Sequence, residues 1–359
     1  MRNRFEIFAA VSVASVLALS ACGSSGSAAS TTAAAAAETT AAAAAAETTA
    51  AAAEAPAAGA VGMEGGSSLI FTTGGDQGTY YGFGGVLAGK ISETTSTTVT
   101  AITSGGSAAN IEALEMGDAQ IGFVQSDVMA YAYEGTRLFE DTGKIDNFST
   151  VGALYMEQVQ IVTLDPEIKT VADLKGKNVS IGAAGSGVYF NAIDVLNAYD
   201  LTEADINPTY QSFGDSAEAL QDGKIDAAFV VAGAPTTAIT GLATTKPVHL
   251  VELDAEHIEK LLAGSPYYSE NVIPKDVYGT EKDIRTVAVG AVVIANDDVS
   301  EADVYNFLAG VYENIPAITD AHAKGAELDL SFAASITAVP YHPGAVKYFA
   351  EKGIEVPAK

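Results

Sequence analysis

Between Thr72 and Lys90 the chain reads TTGGDQGTYYGFGGVLAGK, a strand-like run that breaks on glycines and resumes as a helix-like run headed by two tyrosines. The first turn of a helix leaves backbone N–H groups unbonded, and glycine lets a ligand reach them, so this junction suits the grip of a carboxylate or phosphate. The loop runs from Gly74 to Tyr81 and includes Gly75. Two more loops of the same make follow, Ser104 to Asn110 and Gly182 to Val188. Thr79, Ser104, Ser107, Ser126 and Ser186 add hydroxyl donors, and Tyr80 and Tyr81 offer an apolar wall and a phenol. Of the two adjacent rings, one is expected in the core and one at the ligand.

Other chemistries fit these residues poorly. A dinucleotide loop needs G-x-G-x-x-G after a strand, whereas Gly182, Gly185 and Gly187 have the reversed spacing, and no G-x-x-x-x-G-K-[ST] occurs. There is no G-x-S-x-G elbow and no H-E-x-x-H. His249, His257, His322 and His342 lie outside the glycine loops and are read as surface or packing residues. Asp141, Asp146, Asp226, Asp297 and Asp298 lack the spacing of a calcium loop and are read as a solvated face. The expectation is therefore a binding protein, not an enzyme, with no cofactor, no metal and no catalytic group. A net charge of -27 and a pI near 4.2 speak against nucleic acid as a partner. Beyond the first few residues the only arginines are Arg137 and Arg285, so an anion would be held chiefly by amides and hydroxyls.

The elements that must position these loops occur twice. EALEMGDAQIGFVQ, Glu112 to Gln125, aligns without a gap with EALQDGKIDAAFVV, Glu218 to Val231, at an offset of 106. Gly78-Thr79-Tyr80-Tyr81 aligns with Gly187-Val188-Tyr189-Phe190 at an offset of 109. Alternating strands and helices with short connections imply an α/β fold whose sheets are mostly parallel and flanked by helices, with ligands outside the carboxyl ends of the strands. A fourth loop, Ser212 to Ser216, would then face the first three, and Gln125-Ser126-Asp127 and Ala232-Gly233-Ala234-Pro235 would close the ring. Val151 to Leu164 and Thr286 to Asn296 read as strands crossing between two lobes, with helices at Glu301 to Asn314 and Gly344 to Lys352.

The N-terminus carries a different signal. Arg2 and Arg4, the apolar run Ile7 to Leu19 and LSAC look like a bacterial lipoprotein signal over residues 1–21, with Cys22, the only cysteine, as the lipidated residue. Residues 22–66 are nearly all Ala, Thr, Ser, Glu and Gly and read as a disordered tether.

TTGGDQGTYYGFGG, SGGSAANIEALEMGDAQIGFVQSD, IGAAGSGVYFNAIDVL, GKIDAAFVVAGAPT and VPYHPGAVKYFAEKGI, in this order, resemble the TAXI solute-binding proteins of tripartite ATP-independent periplasmic (TRAP) transporters. The resemblance covers the body from Ser67 to Ile354. It implies a two-lobed type II periplasmic-binding-protein fold with hinge crossovers, residues 67–157 and 292–359 forming one lobe and 158–291 the other. It also implies a monomeric, extracytoplasmic receptor on the bacterial cell membrane, bound there through its lipid alone. Such a receptor captures a small organic anion, glutamate-like or another carboxylate, for a TRAP-type permease. Carried over by position, Thr79, Tyr80, Ser107, Gln125, Ser126, Ser186, Gly187 and Pro235 would lie at the ligand. Gly82 replaces the proline usual after the tyrosines, and Val188-Tyr189 replaces a Thr-Glu pair. A sensor feeding a membrane signalling partner, and an enzyme on the same scaffold, remain as alternatives.

Overall fold

A computed structural model describes residues 61–359; the signal segment, Cys22 and the tether up to residue 60 lie outside the described residues. The first half runs β1 (Ser68–Thr72), α1 (Thr79–Thr94), β2 (Thr98–Ile102), α2 (Ser107–Met116), β3 (Ile121–Gln125), α3 (Ser126–Glu134) and the long β4 (Phe148–Thr163). The second repeats the plan with β5 (Asn178–Ser180), α4 (Val188–Ala198), β6 (Asn207–Thr209), α5 (Phe213–Gln221), β7 (Ala227–Ala232) and α6 (Thr237–Ala243). Then come β8 (His249–Leu250), α7 (Ala255–Gly264), β9 (Ser269–Ile273) and the returning β10 (Ile284–Asn296). The chain ends with α8 (Glu301–Tyr312), α9 (Ile315–Ala321), α10 (Leu330–Ala333) and α11 (Pro343–Glu351).

Strand order is β2-β1-β3-β10-β4-β7-β5-β6, with β8 on β4 and β9 on β10. β1 lies parallel between β2 and β3, and β5 lies parallel between β6 and β7, so the duplicated segments occupy equivalent places. β4 and β10 run antiparallel to each other from Gln158/Ala288 to Phe148/Asn296 and pass through both halves. β10 pairs β3 through Ala291–Ala295, and β4 pairs β7 from Gln158 onward. Two register shifts interrupt the β4–β10 ladder, between Ala291 and Val292 and between Val293 and Ile294. This is an α/β fold on one mixed sheet, its two similar halves joined by the long strands β4 and β10.

The sequence makes these elements for plain reasons. IGFVQ in β3 and AAFVVA in β7 are buried along their whole length, as strands covered by helices on both faces must be. Phe71, Phe123 and Phe307 pack ring to ring and join β1 and β3 to α8. Val159, Phe229 and Val287 belong to a separate cluster that closes under α4 and α7. α2 and α3 stop at Gly117 and Gly135, both with positive φ, where a side chain would be strained. No helix among the described residues is long and apolar enough to cross a membrane.

The chain is fastened to the body before Ser67, where the tether was expected to continue. Val61 N–H donates to Thr94 O at 2.8 Å, Gly66 N–H to Ser96 Oγ at 3.1 Å and Ser67 N–H to Asp303 Oδ1 at 2.7 Å. Asn306 Nδ2 also reaches Met63 O at 2.9 Å. A segment poor in large apolar side chains is held here through its backbone, which composition does not report.

Candidate functional site

The carboxyl ends of the parallel strands in both halves meet at a cavity of about 200 Å³. Four helix starts line it: Thr79 of α1, Ser107 of α2, Val188 of α4 and Phe213 of α5. The halves are bonded across it. Thr79 Oγ1 donates to Gly233 O at 2.7 Å, Ala108 and Ala109 N–H to Gly185 O at 3.0 and 3.2 Å, and Ala238 N–H to Gln77 O at 3.2 Å. Glycine is required where these surfaces touch. Gly106 has φ +108 with a notional Cβ 3.3 Å from Ser186 Cα, and a Cβ on Gly187 would fall 1.7 Å from Gln125 Oε1.

The helix starts are not equally available. α2 has given two of its first-turn N–H groups to Gly185 O, and α5 gives one to its own cap, Asp215 N–H to Ser212 Oγ at 3.1 Å. α3 starts at Ser126 and carries an acid, Asp127, in its first turn, where it accepts Asn191 Nδ2 at 2.9 Å. In contrast, the N–H groups of Thr79, Tyr80 and Tyr81 in α1, and of Gly187, Val188 and Tyr189 at the start of α4, donate to no protein acceptor among the described residues. Two positive helix ends therefore converge on the cavity with their donors free, a ready seat for negative charge.

No lysine, arginine or histidine lines the cavity. Arg137 binds Asp194 at 2.6 Å and lies over the rings of Tyr131 and Phe190, and Arg285 pairs with Glu270 at 3.6 Å. The one ionisable carboxyl in the wall is Glu157 of β4, 2 % exposed, whose Oε2 accepts the Tyr80 hydroxyl at 2.8 Å. Burial pushes the Glu157 carboxyl up to about 8, only partly offset by the Tyr80 hydrogen bond. Burial and the neighbouring Glu157 hold the Tyr80 phenol well above its ordinary range, so it stays a donor. Gln125 Oε1 is buried in the same wall without a hydrogen-bond partner.

Of the residues expected from sequence, Gly75, Thr79, Tyr80, Ser104, Ser107, Gln125, Ser186 and Gly187 come together around the cavity. Tyr81, Ser126 and Pro235 do not. Neighbours on a helix point about 100° apart, so with the Tyr80 ring stacked on Phe123 at 4.5 Å, Tyr81 is carried to the surface, 38 % exposed. Tyr80 alone serves both core and cavity. Ser126 is drawn to the crossover, where its Oγ accepts Gly290 N–H at 3.0 Å. Pro235 is turned past the rim because Gly233 O and Ala234 N–H are held by Thr79 and by Gln158 Oε1 at 2.9 Å.

The expected role of the hydroxyls also needs correction. Thr79 and Ser186 spend their protons on main-chain carbonyls, Ser186 Oγ donating to Ala183 O at 2.7 Å. Ser104 and Ser107 accept N–H groups, from Gly106 and from Gln125, each at 3.1 Å. Ser104 and Ser107 keep their own O–H protons, so the amides and these two hydroxyls are left as the free donors. Sequence reasoning missed Glu157 and Gln211, both in the wall. A signal existed for Glu157, the only acid in the apolar crossover VGALYMEQVQIVTL.

The model of the NMT1-like family matches residues 71–353. Among solved structures, the periplasmic aliphatic sulphonate binding protein SsuA from Escherichia coli is similar at 17% identity and TM-score 0.43, over 80% of this chain and 94% of that one. The alkanesulfonate-binding SsuA from Xanthomonas axonopodis pv. citri, bound to MOPS, is similar at 14% and 0.45, over 79% and 90%. The ligand binding component of an ABC-type import system from Staphylococcus aureus is similar at 10% and 0.48, over 81% and 94%.

Proposed function

The chain belongs to the NMT1-like family, and from that premise we propose that it is an extracytoplasmic solute receptor that captures a small organic anion between its two lobes. The observation that carries this is the pair of free helix starts, α1 and α4, meeting at a cavity with no cationic side chain. Fixed amide dipoles neutralise a carboxylate without reorganisation, and a cavity walled mostly by apolar groups strengthens them by excluding water. The guest is a glutamate-like amino acid or a related carboxylate, and the unpartnered Gln125 Oε1 accepts an N–H or O–H from it. Gly75, Thr79, Tyr80, Ser104, Ser107, Gln125, Ser186 and Gly187 form the wall it meets.

Residues 67–157 with 292–359 move as one lobe and 158–291 as the other, so that capture closes a surface for a partner to read. The motif resemblance supports a TRAP-type permease as that partner, and LSAC supports a lipid anchor at Cys22. Capture and release need no bond-making group, in keeping with a receptor and not an enzyme. Mass spectrometry of small molecules released from the purified protein, followed by calorimetry, tests the proposal. A carboxylate is expected, bound without turnover; a cationic or neutral guest, or product accumulating on prolonged incubation, overturns it.

A further inference from the structure

Glu157 is the feature of the cavity that an anion receptor least needs. It sits on the crossover, paired with Val289 of β10, one residue before β4 takes up β7 at Gln158. An ionised carboxylate there would repel the guest that the helix starts attract. Its surroundings decide its form. α1 contributes the Tyr80 hydroxyl, which donates to Oε2 at 2.8 Å; α3 contributes Asp127, a like charge; β4 itself contributes Tyr155; β3 contributes the neutral Gln125. The turn at Ala323–Glu327 contributes Lys324, the nearby cation, but its ammonium is committed to Glu327 Oε1 at 2.5 Å and lies 5.4 Å from the centre of the Tyr155 ring. With Tyr80 occupying one oxygen, a neutral Glu157 has its own O–H to give.

We propose that Glu157 is a ligand-binding residue in its protonated form, donating its O–H to an oxygen of the captured carboxylate, so that the anion and one proton are held together. This rests on the anion reading of the same cavity. The carboxyl stays neutral up to about pH 8 because burial disfavours its charge. Above that, the site must take a proton from solvent to bind, and a bound anion raises the proton affinity further. Binding is therefore insensitive to Glu157 titration below pH 7 and weakens as pH rises through the region above 8.

Calorimetry on the mature protein from pH 7 to 9.5, with glutarate, 2-oxoglutarate and L-glutamate as probes in buffers of differing ionisation enthalpy, tests this. The affinity of whichever probe binds is expected to fall up to about tenfold per pH unit above 8, with proton uptake approaching one per guest. Glu157→Gln, which is neutral at every pH, is expected to flatten the profile. The wild-type profile and proton count stand by themselves if that variant folds poorly. A flat wild-type profile, proton release on binding, or the same slope in Glu157→Gln overturns the inference while leaving the anion reading intact. Failure of all three probes at every pH overturns both.

Discussion

The two halves share a scaffold but not a chemistry. Offsets of 106 and 109 place Ser107 opposite Phe213, Gln125 opposite Val231, Ser126 opposite Ala232, Asp127 opposite Gly233 and Tyr80 opposite Tyr189. In the first half these are polar, and Tyr80 and Gln125 face the cavity. In the second, Phe213 and Val231 give it an apolar wall, and Tyr189 points away to bind Glu203 at 3.1 Å. What the halves retain in common is the helix start at Gly78-Thr79 and at Gly187-Val188, with its free amides. On the proposed reading, symmetric backbone supplies the charge grip and side chains that differ between the halves supply discrimination.

Exchanging these features tests the contrast. The largest effect is expected from Gly187→Val, because the new side chain meets Gln125 Oε1 at 1.7 Å and Val128 Cγ2 at 2.9 Å and drives Gln125 into the guest's space. Overpacking of this kind costs about 2 kcal/mol, so carboxylate affinity should fall on the order of 30-fold by calorimetry. The equivalent Gly78→Val, whose Cβ has no neighbour nearer than Gly75 O at 3.2 Å, should lose markedly less. Equal losses would mean that the two helix starts are not used differently.

Asp127 distinguishes the halves through pH. Burial pushes its carboxyl up to about 7, and Asn191 Nδ2 from α4 in the second half donates to it at 2.9 Å. The unfolded chain releases this proton near pH 4 and the folded one near 7, so the fold binds more protons in between and loses stability as pH rises across that window. Asp127→Asn should remove that part of the decline. Relative to wild type, the fall in Tm between pH 4.5 and 7.5 should shrink by roughly 4 °C or more. An unchanged fall would remove Asp127 as its source.

The smallest effect belongs to the caps. α5 is capped by Ser212, whereas its counterpart α2 starts at Gly106 without a side-chain cap. Ser212→Ala should cost about 1 kcal/mol in urea unfolding. Carboxylate affinity should stay within about threefold, since α5 is not one of the two open ends.

Much of this architecture is legible in the chain. β1 ends at Thr72, where the strand-like run breaks on the glycines. The crossovers expected at Val151 to Leu164 and Thr286 to Asn296 are found at Phe148–Thr163 and Ile284–Asn296. β6, the second strand of the second half, is only Asn207–Thr209, and three residues hold too little pattern to fix a register. Short pieces such as β8 and α10 left no periodic trace at all. In the site, the glycine loops were readable because a tight turn or a close approach demands that residue type. The fate of the hydroxyls was not, since Thr79 bonds Gly233, 154 residues away.

The sequence alone determined that two α/β units would face one another, that glycine-rich helix starts would meet between them, and that arginine would be scarce there. These follow from local pattern and composition, which act over a few residues. The tertiary structure alone decided which donors stay free, that Glu157 enters the wall, and that Tyr81, Ser126 and Pro235 leave it. A polar group is available to a guest only if no distant neighbour has claimed it, and that is settled by packing across the whole chain.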